Sequence, residues 1–293
     1  MLSILLFILV ISCEKEKDYL PPTIELIQGQ EYTPDYSVIA IGGMLRFGVH
    51  ATGRDANITN FVIKKIMSDG TVKVVLDSGL NSTGFQVHEV FYQGEEDTAA
   101  WTFQVMDKNR QFATTSLTLF KDPNSTWGGI FEYPLITLGY QNNNLVGHFL
   151  DPMTGEVFTD DSAGLFPNQI DLAVYYYSDD NLPSPTFSSP GEEGGGIGAY
   201  YPFISGWTSK PFTKYDISVD ADPIPVSVFN ACHNDSLLIL SYDDVWGKRK
   251  FKWSDPGNVI PFLTSRGKKG LIQVLSADHD PAGIITFALK IQQ

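Results

Sequence analysis

The chain has 293 residues, with 34 Asp and Glu against 20 Lys and Arg and a formal net charge of −14. An acidic surface of that kind repels phosphate backbones and anionic headgroups, which argues against nucleic-acid binding and against peripheral attachment to anionic lipid. Aromatic residues make up 13%, and 26 Gly and 17 Pro occur without long charged helical repeats, the make-up of a turn-rich all-β protein.

Residues 2–11 carry no charge and one polar side chain, Ser3, and the run ends Val10-Ile11-Ser12-Cys13 before charge begins at Glu14. As a helix it spans about 15–18 Å, well short of a ~30 Å hydrocarbon core, so it is too short to cross a membrane. Its length fits the apolar region of an export signal, although no Lys or Arg precedes it. This segment resembles a bacterial lipoprotein signal peptide. The resemblance implies cleavage after residue 12, lipidation of Cys13, anchoring to a membrane by acyl chains and a tether over residues 13–22. Glu14 and Glu16, just after Cys13, resemble the surface-export signal of Bacteroidetes lipoproteins, which implies the outer membrane and its cell-surface side. With Cys13 lipidated, Cys232 has no partner for a disulfide and is expected to pack as a small hydrophobe.

Residues 23–120 read as short strands separated by turns. Leu45-Arg-Phe47-Gly-Val49-His-Ala51 and Trp101-Thr-Phe103-Gln-Val105-Met-Asp107 alternate apolar and polar positions, as strands with one buried face do. Ser68-Asp69-Gly70, Asn81-Ser-Thr-Gly84 and Lys108-Asn109-Arg110 supply turn chemistry between them. Six or seven strands in about 100 residues predict a β-sandwich. The Trp101–Asp107 strand and the hairpin that follows it resemble the last hairpin of bacterial immunoglobulin-like domains, whose usual role is that of a spacer.

Lys121-Asp-Pro123-Asn-Ser-Thr126 breaks the pattern and marks an expected boundary. Residues 127–293 predict a larger sandwich-like β domain. Asp151-Pro-Met-Thr-Gly155 reads as a hairpin turn, Ile170–Tyr177 as a buried central strand, and residues 267–274 and 283–291 as a closing pair. Gly147-His-Phe149 through Phe158, Ile170–Tyr177 and Gly267–Val274 resemble a module recurrent in Bacteroidetes surface lipoproteins, which implies location and architecture but no catalytic residue. Residues 178–198 form a long Pro/Gly/Ser-rich connection, and such loops are often functional.

The familiar catalytic and phosphate-binding motifs are missing, and the five His are scattered singly. Carboxylate pairs such as Asp179-Asp180 and Glu192-Glu193 fix no cleft geometry, so an enzyme, a glycoside hydrolase in particular, ranks third. No cofactor is expected. Calcium is weighed at Asp216, Asp220 and Asp222, whose hard oxygen ligands suit it, although their spacing is not that of an EF-hand.

The aromatics point furthest. Sugar rings stack on exposed Trp and Tyr, so Tyr200, Tyr201 and Trp207, just after the glycine-rich loop, and Trp246 in its own turn are the expected ligand-binding residues. Trp253, alternating with Lys250 and Lys252, is expected in the core. Together these readings predict a lipid-anchored surface protein that captures a polysaccharide. The alternative is an adhesive subunit resembling fimbrillins.

Overall fold

The computed structural model describes residues 18–178, 182–192 and 196–293. The expected signal peptide, Cys13, the Asp179-Asp180 pair and Glu193 lie outside the described residues. Strands hold 46% of the chain and helices 10%, so sheets form the cores and the fold is an all-β, multi-domain sandwich. Two compact units emerge. One comprises residues up to Val38, Leu45–Phe91 and Glu96–Phe120; the other comprises Ile39–Met44, Tyr92–Glu95 and Lys121–Gln293. The break at residues 120–121 falls where the sequence changes character, but the two short segments 39–44 and 92–95 group with the second unit.

The first unit contains β1 (Thr23–Ile27), β2 (Val38–Ile39), β3 (Met44–Thr52), β4 (Ile58–Met67), β5 (Val72–Ser82), β6 (Gly84–Tyr92), β7 (Thr98–Asp107) and β8 (Phe112–Lys121). They form two sheets, β1-β3-β6 and β2-β8-β7-β4-β5. The alternation read in the sequence is the burial pattern found. Leu45, Phe47, Val49 and Ala51 of β3 are buried, as are Trp101, Phe103 and Val105 of β7, while Arg46 and His50 face out. Phe47 meets Trp101 and Phe103 at 5.1 and 5.2 Å between ring centres, and Phe61 meets Phe85 at 5.1 Å, so aromatic contacts join the facing sheets. The β7–β8 turn closes because the Gln111 N–H donates to Asp107 Oδ1 at 2.9 Å and Arg110 takes the left-handed conformation at φ 62°.

The second unit begins with β9 (Ile130–Gly139), β10 (Phe149–Asp151), β11 (Glu156–Phe158), α1 (Asp160–Ala163), β12 (Leu172–Tyr177), β13 (Ser184–Ser188) and α2 (Ile197–Tyr200). It continues through β14 (Lys214–Asp216), α3 (Val226–Asn230), α4 (Ser236–Leu240), β15 (Gly247–Lys248), β16 (Phe251–Lys252), β17 (Val259–Leu263), β18 (Lys269–Ala277) and β19 (Ile284–Gln292). A five-stranded sheet, β11-β10-β12-β13-β16, faces a six-stranded one, β15-β14-β17-β18-β19-β9. Leu172, Val174, Phe187 and Phe251 of the first pack with Tyr215, Ile260, Phe262, Ile272, Phe287 and Leu289 of the second.

Short helices cover the outer faces. Ala163 of α1 and Ile197 of α2 pack with Tyr201 and Ile204 on Phe149, Ala173 and Tyr175. On the other sheet, Phe229 of α3 and Leu238 of α4, with Cys232, pack on Val259, Leu271 and Ala288. A strand buried on both faces needs apolar residues at every position, which is why β12 reads Leu-Ala-Val-Tyr-Tyr-Tyr without alternation. The helices themselves were not apparent in the sequence. Each has four or five residues, too few to show a helical period.

Other expectations in this unit meet their structural counterparts. Asp151–Gly155 turns between β10 and β11 with Gly155 at φ 74°, and β18 pairs antiparallel with β19. Cys232 is a free, buried thiol. It follows α3 rather than lying on a strand.

Candidate functional site

The ligand-binding residues expected from the sequence do not assemble into one surface. Tyr201 is buried, with 1% of its surface exposed, and its hydroxyl donates to the Val174 carbonyl at 2.8 Å. Trp207 is half-buried against Phe149, 5.3 Å between ring centres, and belongs to the covering of the outer face. Both are structural residues: the apolar surface of β10 and β12 draws them inward. Trp246 is half exposed but lies in the turn before β15, at the edge of the six-stranded sheet, away from the others. Tyr200 alone stands at a built site. Its ring stacks on Tyr175 at 4.4 Å between centres with 18° between planes, and its hydroxyl accepts from the Ser178 N–H at 3.1 Å.

Strand register explains what surrounds Tyr200. On the outer face of the five-stranded sheet, Tyr175 pairs with Thr186, which pairs with Lys252 of β16; Tyr177 pairs with Ser184. Phe251 points inward from β16, so Lys250 and Lys252 share the outer face. The Lys252 ammonium lies 3.7 Å from the ring centre of Tyr177 and 4.8 Å from that of Trp253; that of Lys250 lies 4.9 Å from Tyr177. These are cation–π distances.

Trp253 corrects an expectation. Alternation after Phe251 places it in the core, yet it is 49% exposed. The strand ends at Lys252, and Trp253 takes φ 54°, the left-handed conformation that a bulky L-residue rarely adopts. That turn carries its ring out of the core and against the Lys252 ammonium.

Beside this platform, Glu192 is buried with its side chain fully inaccessible. Its Oε2 accepts from the Ser188 hydroxyl at 2.5 Å and the Tyr175 hydroxyl at 3.0 Å. Its Oε1 faces the Lys250 ammonium at 3.3 Å, an ion-pair contact outside hydrogen-bond geometry, and among the described residues no donor satisfies that oxygen. Burial and the adjacent Glu192 charge drive the Tyr175 hydroxyl far above its ordinary range, so it stays protonated and serves as a donor. Glu192 also lines a cleft of about 700 Å³ with Pro190, Gly191, Lys210, Phe212 and Arg249. The Glu192–Lys250 pair therefore joins the cleft to the aromatic platform.

The calcium candidates are not brought together. Asp216 is buried, one oxygen taking the Ser218 N–H and the other the Asp243 N–H, both at 2.8 Å, while Asp220 and Asp222 are exposed. Asp278 and Asp280 accept backbone N–H groups in their own turn. Among the described residues no three His, Cys, Asp or Glu side chains are grouped to hold a metal ion. His50, His148, His233 and His279 each face one carboxylate, and His88 meets the Tyr32 hydroxyl.

No protein-family model matches the chain, and no curated protein matches its sequence.

Proposed function

We propose that this chain is a lipid-anchored cell-surface protein whose second unit captures a glycan on Tyr177, Tyr200 and Trp253. The observation that carries this reading is the exposed indole of Trp253, held in a strained conformation over Lys252 beside a second aromatic ring. An exposed, strained aromatic with no packing role points to function, because folding alone favours relieving the strain or burying the ring. Flat aromatic faces flanked by ammonium and hydroxyl groups suit a sugar, whose C–H face stacks while its hydroxyls take hydrogen bonds.

In this reading the first unit is an immunoglobulin-like spacer. Its strand order supports that, with the last hairpin's β7 and β8 in one sheet beside β4 and with β1, β3 and β6 in the other. Cys13 carries the lipid, and incorporation of labelled fatty acid that persists in Cys13→Ala cells would refute the anchor. The site itself is tested by a polysaccharide panel on the mature chain. Retention of one polysaccharide is expected to fall at least tenfold in Trp253→Ala and in Tyr177→Ala, as loss of a stacking contact of about 1.4 kcal/mol or more demands. Undiminished binding in both variants refutes the platform.

A further inference from the structure

We propose that the outer face of the six-stranded sheet carries a second binding site, for an uncharged molecule with an apolar body and a hydroxyl group, an alcohol or a phenol. It does not rest on the glycan reading, because no residue of the platform lines this site.

The sheet is shaped for a cavity there. β18 and β9 flank β19, and each carries a bulge beside Phe287. Leu275 is the extra residue of β18, between Val274 opposite Phe287 and Ser276 opposite Thr286. On β9, Pro134 and Leu135 take the place opposite Ala288, between Tyr133, which faces Leu289, and Ile136, which faces Phe287. Bulges re-aim side chains and recur beside functional sites. Here Leu275 and Pro134 line a cleft of about 570 Å³ with Ala288 and with Phe229 of α3. A cleft of that volume suits one small molecule, and these four residues give it apolar walls.

Its polar end is built from three residues. Leu289 and Ile291 point into the core, so Ala288 and Lys290 face outward, and Lys290 stands opposite Glu132. Glu132 Oε1 lies 3.0 Å from His233 Nδ1, and its Oε2 lies 3.1 Å from the Lys290 ammonium. A carboxylate only accepts, so Nδ1 carries the proton and Nε2 of the neutral ring is an acceptor. No described residue occupies Nε2, and stacking on the Tyr92 ring fixes the imidazole plane. The Asn230 and Gln273 amides line the same cleft without a partner among the described residues. An oriented acceptor beside amide donors matches a hydroxyl group, which gives one hydrogen bond and takes another.

The charges present are already balanced. Of the described lining residues, only Glu132, His233 and Lys290 are ionisable at neutral pH. Lys290 is nearly inaccessible; it donates to the Cys232 carbonyl at 2.6 Å, pairs with Glu132 and lies 4.9 Å from the centre of the Phe229 ring. An anion therefore finds no open ammonium. A cation would compete with both His233 and Lys290 for Glu132.

The test compares four probes with one body and different heads on the mature chain at neutral pH: para-butylphenol, para-butylanisole, para-butylbenzoate and para-butylbenzylamine. By calorimetry the phenol is expected to bind about fivefold tighter than the anisole, the effect of one neutral hydrogen bond, and tighter than either charged probe. In nitrogen NMR the His233 Nε2 signal should move with the phenol and stay with the anisole. His233→Phe should leave the two neutral probes binding alike at the wild-type anisole affinity, which shows the cleft intact; His233→Leu is a second version. Leu275→Ser should weaken both neutral probes equally. Failure of the phenol to bind, equal affinity for phenol and anisole, tightest binding of a charged probe, or an Nε2 signal that the phenol leaves unmoved overturns the proposal without any variant, and so does a phenol preference that survives loss of the imidazole. Phenol binding should be unchanged in Trp253→Ala. Its loss there would place the phenol on the platform, which sinks this inference and leaves the glycan reading standing.

Discussion

The Lys250 ammonium lies 3.3 Å from Glu192 Oε1, and the two partners are unequally buried: the glutamate side chain is fully inaccessible, while one-fifth of the lysine side chain is exposed. That inequality sets what each half of the pair does when left alone. Lys250→Met strands a buried carboxylate that has two hydroxyl donors among the described residues, and breaking a buried pair in this way costs roughly 3–5 kcal/mol. Glu192→Gln leaves an ammonium that reaches water and keeps an acceptor for Ser188 and Tyr175, so it should cost about 1–2 kcal/mol. The double variant should be less destabilised than the sum of the two singles. Urea denaturation of all four proteins checks this, and equal costs for the two single variants would contradict it.

Trp253 at φ 54° offers a separate test of strain. Glycine occupies the left-handed conformation freely, whereas alanine meets the same Cβ crowding as tryptophan, at a cost of roughly 1 kcal/mol or more. Because the indole is half exposed, Trp253→Gly and Trp253→Ala lose the same modest packing. The glycine variant should be about 1 kcal/mol more stable than the alanine variant, and both should lose glycan retention. Thermal melts that place alanine level with glycine would show that no strain is stored there.

How much of this was legible in the sequence depended on whether a pattern was local. β3 and β7 alternate because each has one buried face, so Leu45–Ala51 and Trp101–Asp107 announced themselves. β12 announced itself by the opposite sign, an unbroken apolar run, because helices cover its outer face. The site was less visible. Tyr201 and Trp207 follow a glycine-rich loop and invite exposure, yet the apolar surface of β10 and β12 takes both rings. Trp253 reads as core by alternation, and only its backbone turn reverses that. Glu192 meets Tyr175, Ser188 and Lys250 across as many as 58 positions, from residue 192 to residue 250, a convergence that spacing does not encode. Lys250 and Lys252 flank Phe251 in the sequence, and their place on the outer face appears once Phe251 is known to point inward.

Asp171 gives a pH prediction whose sign can be worked out. Its Oδ2 accepts from Arg266 Nε at 2.7 Å and its Oδ1 from the Ser265 hydroxyl at 3.1 Å. Burial works against charge on both partners. At Arg266 the bonds to Asp151 and Asp171 outweigh it and hold the guanidinium charged, whereas at Asp171 burial outweighs the single arginine and the Asp151 charge adds to it. The Asp171 carboxyl is therefore raised above its ordinary value in the folded protein. A raised carboxyl means the folded state binds more protons than the unfolded one between the two values, so its contribution is fully present in acid and is lost as pH rises through the folded value. The stability advantage of the wild type over Asp171→Asn should be largest below about pH 4 and shrink toward neutrality. Denaturation curves of both proteins across that range check it; an advantage that grows with pH would reverse the assignment.

Tyr200 and Tyr201 are sequence neighbours with opposite expected phenotypes. The Tyr201 hydroxyl donates to the Val174 carbonyl at 2.8 Å inside the covering of the outer face, so Tyr201→Phe removes one buried hydrogen bond. The orphaned carbonyl should cost about 1–3 kcal/mol while glycan affinity stays at the wild-type value. Tyr200 is half-buried, stacked on Tyr175 beside the platform, and Tyr200→Ala removes a ring contact of roughly 0.5–1.5 kcal/mol. That variant should stay folded and bind glycan more weakly, because Tyr175 then loses the ring that holds it against Glu192 and Lys250. Calorimetric binding and urea denaturation on the two proteins separate the outcomes. If Tyr201→Phe lost affinity at unchanged stability, the ligand surface would have to include the buried side of this pair.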